Sequence, residues 1–232
     1  PFLERLQSII SLKSTDPEKV EEYACNLAQG IAESDLISAP KGDPWQTSKK
    51  STLKESLDSR VDNWKTSWDR KMGLTKGAPK FPLPTNLDFL LHFSSTVGDK
   101  DALAQTQLSL DAMSRGGIYD QIGGGFSRYS VDSEWKIPHF EKMLYDNALL
   151  ISTYSNAFRV WEKANYKKLV FETIDFLERE LSDSRGGFYS ALDADSEGVE
   201  GKYYVWSNSE LRNILSTEDF DFVSYVFEID KK

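Results

Sequence analysis

A short unit occurs twice in the second half of the chain, and this repeat constrains the fold more than any other sequence feature. In each copy a helical pattern ends at glycines, an aromatic residue and a short alternating segment follow, and a second helical pattern begins. The two copies run from Gly124–Phe126 to Asp132–Glu134 and from Gly186–Phe188 to Asp195–Glu197. Repeats of roughly 60 residues built from helix pairs stack into solenoids or close into toroids.

Apolar residues recur at helical spacing over most of the chain. The clearest pattern runs from Pro138, a residue typical of a first helical turn, to Trp161. Short β-hairpins are expected within 126–137 and between 188–192 and 203–206. Only about three helix pairs fit into 232 residues. We therefore predict an all-α fold of helical hairpins, an incomplete (α/α)6 toroid with short β-hairpins at one rim.

Composition excludes several classes of function. The net charge is −9 and no Lys/Arg cluster stands out, so nucleic acid is not an expected partner. The single cysteine, Cys25, excludes an intrachain disulfide and is predicted to be a buried thiol in a helix. No apolar run could cross a bilayer and no signal-peptide pattern is present, so we expect a soluble protein with no membrane partner, the cytoplasm being favoured.

Neither a metal site nor a cofactor is predicted. Asp193, Asp195 and Glu197 resemble the start of a calcium loop, but Tyr204 stands where a bidentate glutamate is required. Turn formation by these residues is the favoured interpretation. Gly123–Gly125 lacks the spacing of a dinucleotide fingerprint, and these glycines are expected to allow positive φ angles and close backbone approach.

Four segments carry a resemblance to a known family. They are APKFPLP (Ala78–Pro84), GGIYDQIGGGFSRYS (Gly116–Ser130), WKIPHFEKMLYDNA (Trp135–Ala148) and GGFYSALDADSEG (Gly186–Gly198). The chain resembles the spermatogenesis-associated, thioredoxin-domain-containing family over these segments. The resemblance implies a thioredoxin-like domain followed by a toroid similar to six-hairpin glycosidases and N-acylglucosamine 2-epimerases. Residues 1–38 would then be the tail after an absent thioredoxin-like domain, 39–50 a linker, and 51–232 the first half of the toroid.

Acid–base chemistry in such a toroid would use carboxylates and histidines on the rim. His139, Glu141, Asp146 and Asp193 are the catalytic candidates. If the helix began at Pro138, His139 would lie in its first turn, where the helix dipole favours a neutral imidazole. Each candidate has a structural alternative: His139 could tie a hairpin to the helix, Glu141 could complement the dipole, and Asp146 could join a hydrogen-bond network.

A second group of residues is suited to holding a polyhydroxylated ligand. Tyr119, Asp120, Arg128 and Trp135 lie on one glycine-rich loop, and Asp195 lies on the second. Packing inside the fold explains the aromatic residues equally well. The sequence therefore supports two hypotheses: a carbohydrate-active or carbohydrate-binding toroid, either isomerase or hydrolase, or a non-catalytic interaction domain that supports an upstream redox domain. Half a toroid would also expose apolar helix faces, which predicts self-association.

Overall fold

The computed structural model describes residues 2–35 and 50–229. The chain divides into two compact units, Pro1–Ser59 and Arg60–Lys232. The first unit contains α1 (Phe2–Thr15) and α2 (Pro17–Asp35), which pack against each other, and α3 (Lys50–Lys65) begins in it. The prediction that Cys25 is buried is wrong: it lies on α2 and is exposed, because nearly all described side chains of α1 and α2 face solvent. Nearly all of the predicted 39–50 linker lies outside the described residues, and the domain boundaries stay predictions.

Helical hairpins form the second unit. Its helices are α4 (Pro84–Val97), α5 (Lys100–Arg115), α6 (Leu144–Trp161), α7 (Ala164–Phe176), α8 (Asn208–Ile214) and α9 (Thr217–Val226). One π-helical turn, Leu177–Leu181, extends α7. α4 packs against α5 and α6, and α6 packs against α7, so two hairpins lie side by side around a shared apolar core. Within residues 2–35 and 50–229, no helix has the length and apolar character needed to cross a bilayer.

Three short antiparallel strand pairs decorate one end of these hairpins. β1 (Tyr129–Ser130) pairs with β2 (Pro138–His139), β3 (Lys142–Met143) with β4 (Ala191–Leu192), and β5 (Asp195–Ser196) with β6 (Val199–Glu200). The first predicted hairpin is therefore present. The second was predicted wrongly, because β4 takes its backbone partner from β3, about 50 residues earlier, and Lys202–Tyr204 forms a 3-10 turn.

The helix predicted from Pro138 begins six residues later, at Leu144. Pro138–His139 and Lys142–Met143 form strand pairs instead of a helix, and the Leu144 amide donates to the Ser190 carbonyl at 2.9 Å. His139 and Glu141 therefore precede the helix. The prediction that they lie in its first turn, next to the positive end of the helix dipole, is wrong. His139 and Asp146 do not share a helix face, because His139 lies in β2 and Asp146 in the first turn of α6.

Two long connections meet at this end of the unit. Residues 116–143, here called the first rim loop, join α5 to α6, and residues 182–207, the second rim loop, lead from the end of α7 to α8. The β3–β4 pair joins the loops through Lys142 and Leu192. A hydrogen bond between His139 and Glu200 joins them again. The two copies of the repeated unit thus meet at a common rim, as the sequence predicts.

Candidate functional site

A pocket of about 520 Å³ opens between the two rim loops and the end of α7, and is here called the rim pocket. Its wall combines aromatic rings, carboxylates and two cations. The residues that give it this character are Asp120 and Lys142 of the first rim loop, Phe176, Arg179 and Glu180 at the end of α7, and Asp193, Asp195, Tyr203 and Tyr204 of the second rim loop. This mixture of polar and aromatic groups is typical of small-molecule sites.

Lys142 is the central polar residue of the rim pocket. Its side chain is only 3% exposed, and Nζ donates to Asp120 Oδ2 and to the Gly124 carbonyl, both at 2.9 Å. The same ammonium lies 4.6 Å from the centre of the Phe176 ring and 5.0 Å from that of Tyr204. Two hydrogen bonds and two aromatic faces thus replace the water that burial removes.

Burial and pairing act in opposite directions on this ion pair. Burial lowers the pKa of the Lys142 amine below its usual value, and the Asp120 carboxylate only partly opposes that change. Burial alone would raise the pKa of Asp120, but hydrogen bonds from Lys142 and from the Gly123 and Ile122 amides outweigh it and hold the pKa below its usual range. Asp120 is therefore a fixed carboxylate at neutral pH.

Glycine is required where the first rim loop passes beneath the pocket. Gly124 and Gly125 have φ angles of 77° and 80°, which L side chains rarely adopt. A Cβ at Gly125 would run into the Phe176 ring, and one at Gly124 would reach the Glu172 carbonyl. The predicted reason, positive φ and close approach, is confirmed for Gly124 and Gly125, whereas Gly123 does not have a positive φ.

The second rim loop supplies two open carboxylates. Asp193 and Asp195 are exposed, whereas Ala194 between them is buried. Both aspartates line the rim pocket. Tyr203 is 77% exposed, and burial raises the pKa of Tyr204 to about 12, so the Tyr204 hydroxyl stays protonated near neutral pH.

Beside the rim pocket lies a second polar group, the His139 cluster, formed by Arg128, Tyr129, His139, Glu141 and Glu200. His139 Nδ1 is 2.7 Å from Glu200 Oε1, and its ring stacks on Tyr129 with 4.7 Å between ring centres. Glu141 Oε2 accepts from an Arg128 guanidinium nitrogen at 2.8 Å and lies 3.9 Å from His139 Nε2. Since an ionised carboxylate only accepts, Nδ1 carries the proton that it donates to Glu200, and Nε2 is the ring nitrogen on the side of Glu141.

Asp146 lies beside this cluster, in the first turn of α6. Burial raises the pKa of its carboxyl, the charge of Arg128 opposes that rise, and the charge of Glu141 adds to it. Asp146 therefore holds a proton more readily than an ordinary aspartate does.

Two of the predicted ligand-binding residues lie in the core. Tyr119 is 4% exposed and donates its hydroxyl proton to Glu172 at 2.6 Å. Trp135 is fully buried and donates from Nε1 to the Met72 carbonyl at 2.8 Å. The prediction that these rings hold a ligand is corrected: both are packed among core side chains and offer no open face.

The remaining predicted residues divide between two neighbouring places. Asp120, Asp193 and Asp195 line the rim pocket, whereas Arg128, His139, Glu141 and Asp146 gather in and beside the His139 cluster. His139, Asp146 and Asp193 do not converge on one pocket, since only Asp193 lines the rim pocket. Sequence reasoning missed Lys142, Arg179, Tyr203 and Tyr204. The β3–β4 pair that joins the two rim loops forms between strands about 50 residues apart, and local sequence patterns do not reveal such a pair. Among the described residues, no group of three or more His, Cys, Asp or Glu side chains is arranged to hold a metal ion.

Curated proteins with related sequences support the resemblance noted above. An uncharacterised protein of Caenorhabditis elegans is 37% identical over 195 residues, covering 76% of this chain and 27% of that protein. Spermatogenesis-associated protein 20 of Homo sapiens is 41% identical over 158 residues, covering 64% of this chain and 20% of that protein. The resemblance to the spermatogenesis-associated family is thereby confirmed. The chain spans about a quarter or less of these relatives, and no protein-family model matches it.

Solved structures with a similar fold are sugar epimerases. A sugar epimerase from a ruminal bacterium matches with a TM-score of 0.53 at 17% identity, covering 64% of this chain and 43% of that one. Cellobiose 2-epimerase from Spirochaeta thermophila matches with a TM-score of 0.54 at 20% identity, covering 62% and 40%. These matches confirm the predicted all-α fold, part of an (α/α)6 toroid.

Proposed function

We propose that this chain, a homologue of the spermatogenesis-associated proteins with the fold of sugar epimerases, binds a sugar or sugar-like polyol in the rim pocket. The observation that carries the proposal is the pocket itself, because it combines exposed carboxylates with an exposed aromatic ring in about 520 Å³. Asp193 and Asp195 would accept hydrogen bonds from sugar hydroxyls, and Tyr203 would stack on the apolar face of a sugar ring. The sugars named for the epimerase structures support this ligand class.

The His139 cluster would supply acid–base chemistry beside the bound sugar. Epimerisation removes a proton from carbon and returns one to the opposite face, so it needs a base and an acid. His139 Nε2 would accept the proton while Glu200 holds the ring in one orientation. The check is exchange of the sugar C2 proton for deuterium in D2O, followed by NMR, with His139→Asn expected to abolish it.

Ligand binding is tested first with Tyr203→Ala, monitored by calorimetry against glucose, mannose and cellobiose. Loss of one stacking ring is expected to weaken binding by about 0.5–1.5 kcal/mol, roughly two- to twelvefold in Kd. The matched control is Tyr23→Ala, since Tyr23 is 72% exposed and lies on α2, outside the pocket. Binding of none of these sugars, or equal losses in both variants, would refute the proposal.

A non-catalytic interaction domain is the second candidate, favoured by an apolar surface on α9. Phe222, Tyr225 and Phe227, at and beside the end of α9, are 67%, 79% and 74% exposed. Monomers rarely leave such contiguous apolar area in water. The partner proposed for the 232-residue chain is a second copy; support of an upstream thioredoxin-like domain would apply in a longer protein.

Light scattering of the chain over a concentration series tests this second candidate. Phe222→Asp is expected to shift the chain from dimer or larger species toward monomer, because a charge cannot be buried in an apolar contact without a partner. Phe171→Asp is the matched control, since Phe171 is 56% exposed on α7, away from α9. A monomer at all concentrations would argue against self-association through α9.

A further inference from the structure

We infer that the rim pocket selects a sugar that carries a protonated amine over neutral and acidic sugars. This inference rests on the proposed function and adds to it the charge of the ligand. Three properties of the cavity support it: the volume, the excess of negative over positive charge, and the position of the aromatic rings.

The rim pocket has a formal excess of two negative charges. Four carboxylates, those of Asp120, Glu180, Asp193 and Asp195, line it together with two cations, Lys142 and Arg179. Opposite charges across a partly desolvated site favour a cationic ligand and disfavour an anionic one.

Both cations of the pocket are already paired. Lys142 Nζ binds Asp120 Oδ2 and the Gly124 carbonyl, each at 2.9 Å. Arg179 binds Glu180 Oε1 at 2.7 Å through Nε and the Gly123 carbonyl through a terminal nitrogen. Lys142 could not turn to an acidic sugar without leaving the Asp120 carboxylate unpaired, which is costly where water is partly excluded. The Arg179–Glu180 pair is a weaker constraint, because its side chains are 51% and 41% exposed.

The two carboxylates left over are those of Asp193 and Asp195. Asp193 Oδ1 accepts from the Asp195 amide at 3.1 Å. Across residues 54–229, whose side chains the structure describes, neither aspartate enters an ion pair. Both line the rim pocket, so both add their negative charge to it.

An ammonium already occupies a comparable environment in this wall. Lys142 Nζ sits against one carboxylate and two aromatic rings, with ring-centre distances of 4.6 and 5.0 Å. Asp193, Asp195 and the exposed ring of Tyr203 would offer a ligand the same combination of carboxylate and π face. A protonated amine on a sugar ring would pair with the carboxylates and lie against the aromatic face. The sugar hydroxyls would make the remaining hydrogen bonds to the pocket.

The experiment is calorimetry of the 232-residue chain with four probes: glucosamine, glucose, N-acetylglucosamine and putrescine. Glucosamine is expected to bind about three- to tenfold more tightly than glucose, the range for one or two partly exposed charge contacts. N-acetylglucosamine, which has no charge, should bind no better than glucose. The double variant Asp193→Asn/Asp195→Asn should remove the preference, whereas Asp175→Asn/Asp221→Asn, with the same change in net charge outside the pocket, should keep it.

Equal affinity for glucosamine and glucose would overturn the inference and leave sugar binding intact. A preference that survives in the double variant at Asp193 and Asp195 would overturn it as well. Putrescine binding without any sugar binding would overturn the proposed function and show that the pocket takes simple amines. Glucosamine selectivity that falls with added salt, and only in chains with both aspartates, would support the inference.

Discussion

The two rim loops share a composition of glycine and aromatic residues but use it differently. In the first rim loop, Tyr119, Phe126 and Trp135 are at most 4% exposed and pack between the helices. In the second rim loop, Tyr203 and Trp206 are 77% and 64% exposed. The first loop lies over the core formed by α4 to α7, whereas Phe220 is the one buried residue in α8 and α9, which follow the second loop. Both rim loops are therefore rich in aromatic residues, but the rings are buried only where packed helices lie beneath the loop.

The largest difference is expected between two tryptophans. Trp135→Ala should lower the free energy of unfolding by about 3–5 kcal/mol, because it empties a fully buried site. Trp206→Ala should change it by less than about 0.5 kcal/mol, as is usual for exposed positions. Urea unfolding followed by circular dichroism measures both. Similar losses in the two variants would mean that the second loop is packed as firmly as the first.

A smaller difference is expected between two paired lysines. Lys142→Met should cost about 2–3 kcal/mol, less than a fully buried pair, because Asp120 loses its partner but is 21% exposed. Lys202→Met, which breaks an exposed pair with Glu197, should cost at most about 1 kcal/mol. Adding Asp120→Asn to Lys142→Met should recover part of the loss. Failure of that rescue would show that the ammonium stabilises the fold through the Gly124 carbonyl and the two rings rather than through Asp120.

Two glycines with similar backbone angles sharpen the same contrast. Gly125→Ala should cost more than about 2 kcal/mol, because its φ is 80° and the new methyl would meet Phe176. Gly187 has a φ of 90° but open space around it, so Gly187→Ala should cost about 1 kcal/mol. Thermal unfolding of both variants gives the comparison. A larger loss at Gly187 would contradict the open arrangement of the second loop.

The smallest expected effect is a change in acid stability. The pKa of Asp120 is lower in the folded chain, so its stabilising contribution is present above the ordinary aspartate pKa of about 3.9 and is lost as pH falls through the folded value. Asp120→Asn should therefore flatten the decline of unfolding free energy with falling pH. Asp193→Asn, in the second loop without an ion pair, serves as the control. An unchanged slope in Asp120→Asn would place the acid sensitivity elsewhere.

Local sequence rules predicted the elements whose partners are close in the chain. Ser207 and Glu210 have the S-x-x-E spacing of a capping box and form one at the start of α8, with Ser207 Oγ accepting from the Glu210 amide at 3.2 Å. The hairpin of β1 and β2 was also accessible, since its strands are joined by a short turn at Asp132. The repeat of glycines correctly indicated that the two loops meet.

Long-range pairing defeated the same rules. Pro138 is suited to a first helical turn, yet the backbone there pairs with Ser130, and Lys142 pairs with Leu192. Nothing local to residues 138–143 signals a strand partner that lies about 50 residues away. For this reason the candidates were correctly grouped near the rim, but their division between the rim pocket and the His139 cluster was not foreseen.

The ammonium of Lys142 touches three segments at once, through Gly124 of the first rim loop, Tyr204 of the second and Phe176 at the end of α7. If the second loop moved outward, the Lys142 ammonium would lose its contact with the Tyr204 ring, and its hold on Gly124 of the first loop would weaken. Backbone amides on both loops should therefore exchange with solvent through one shared opening event. The two loops would then open as a single cooperative unit, and a ligand that binds either loop would slow amide exchange in both.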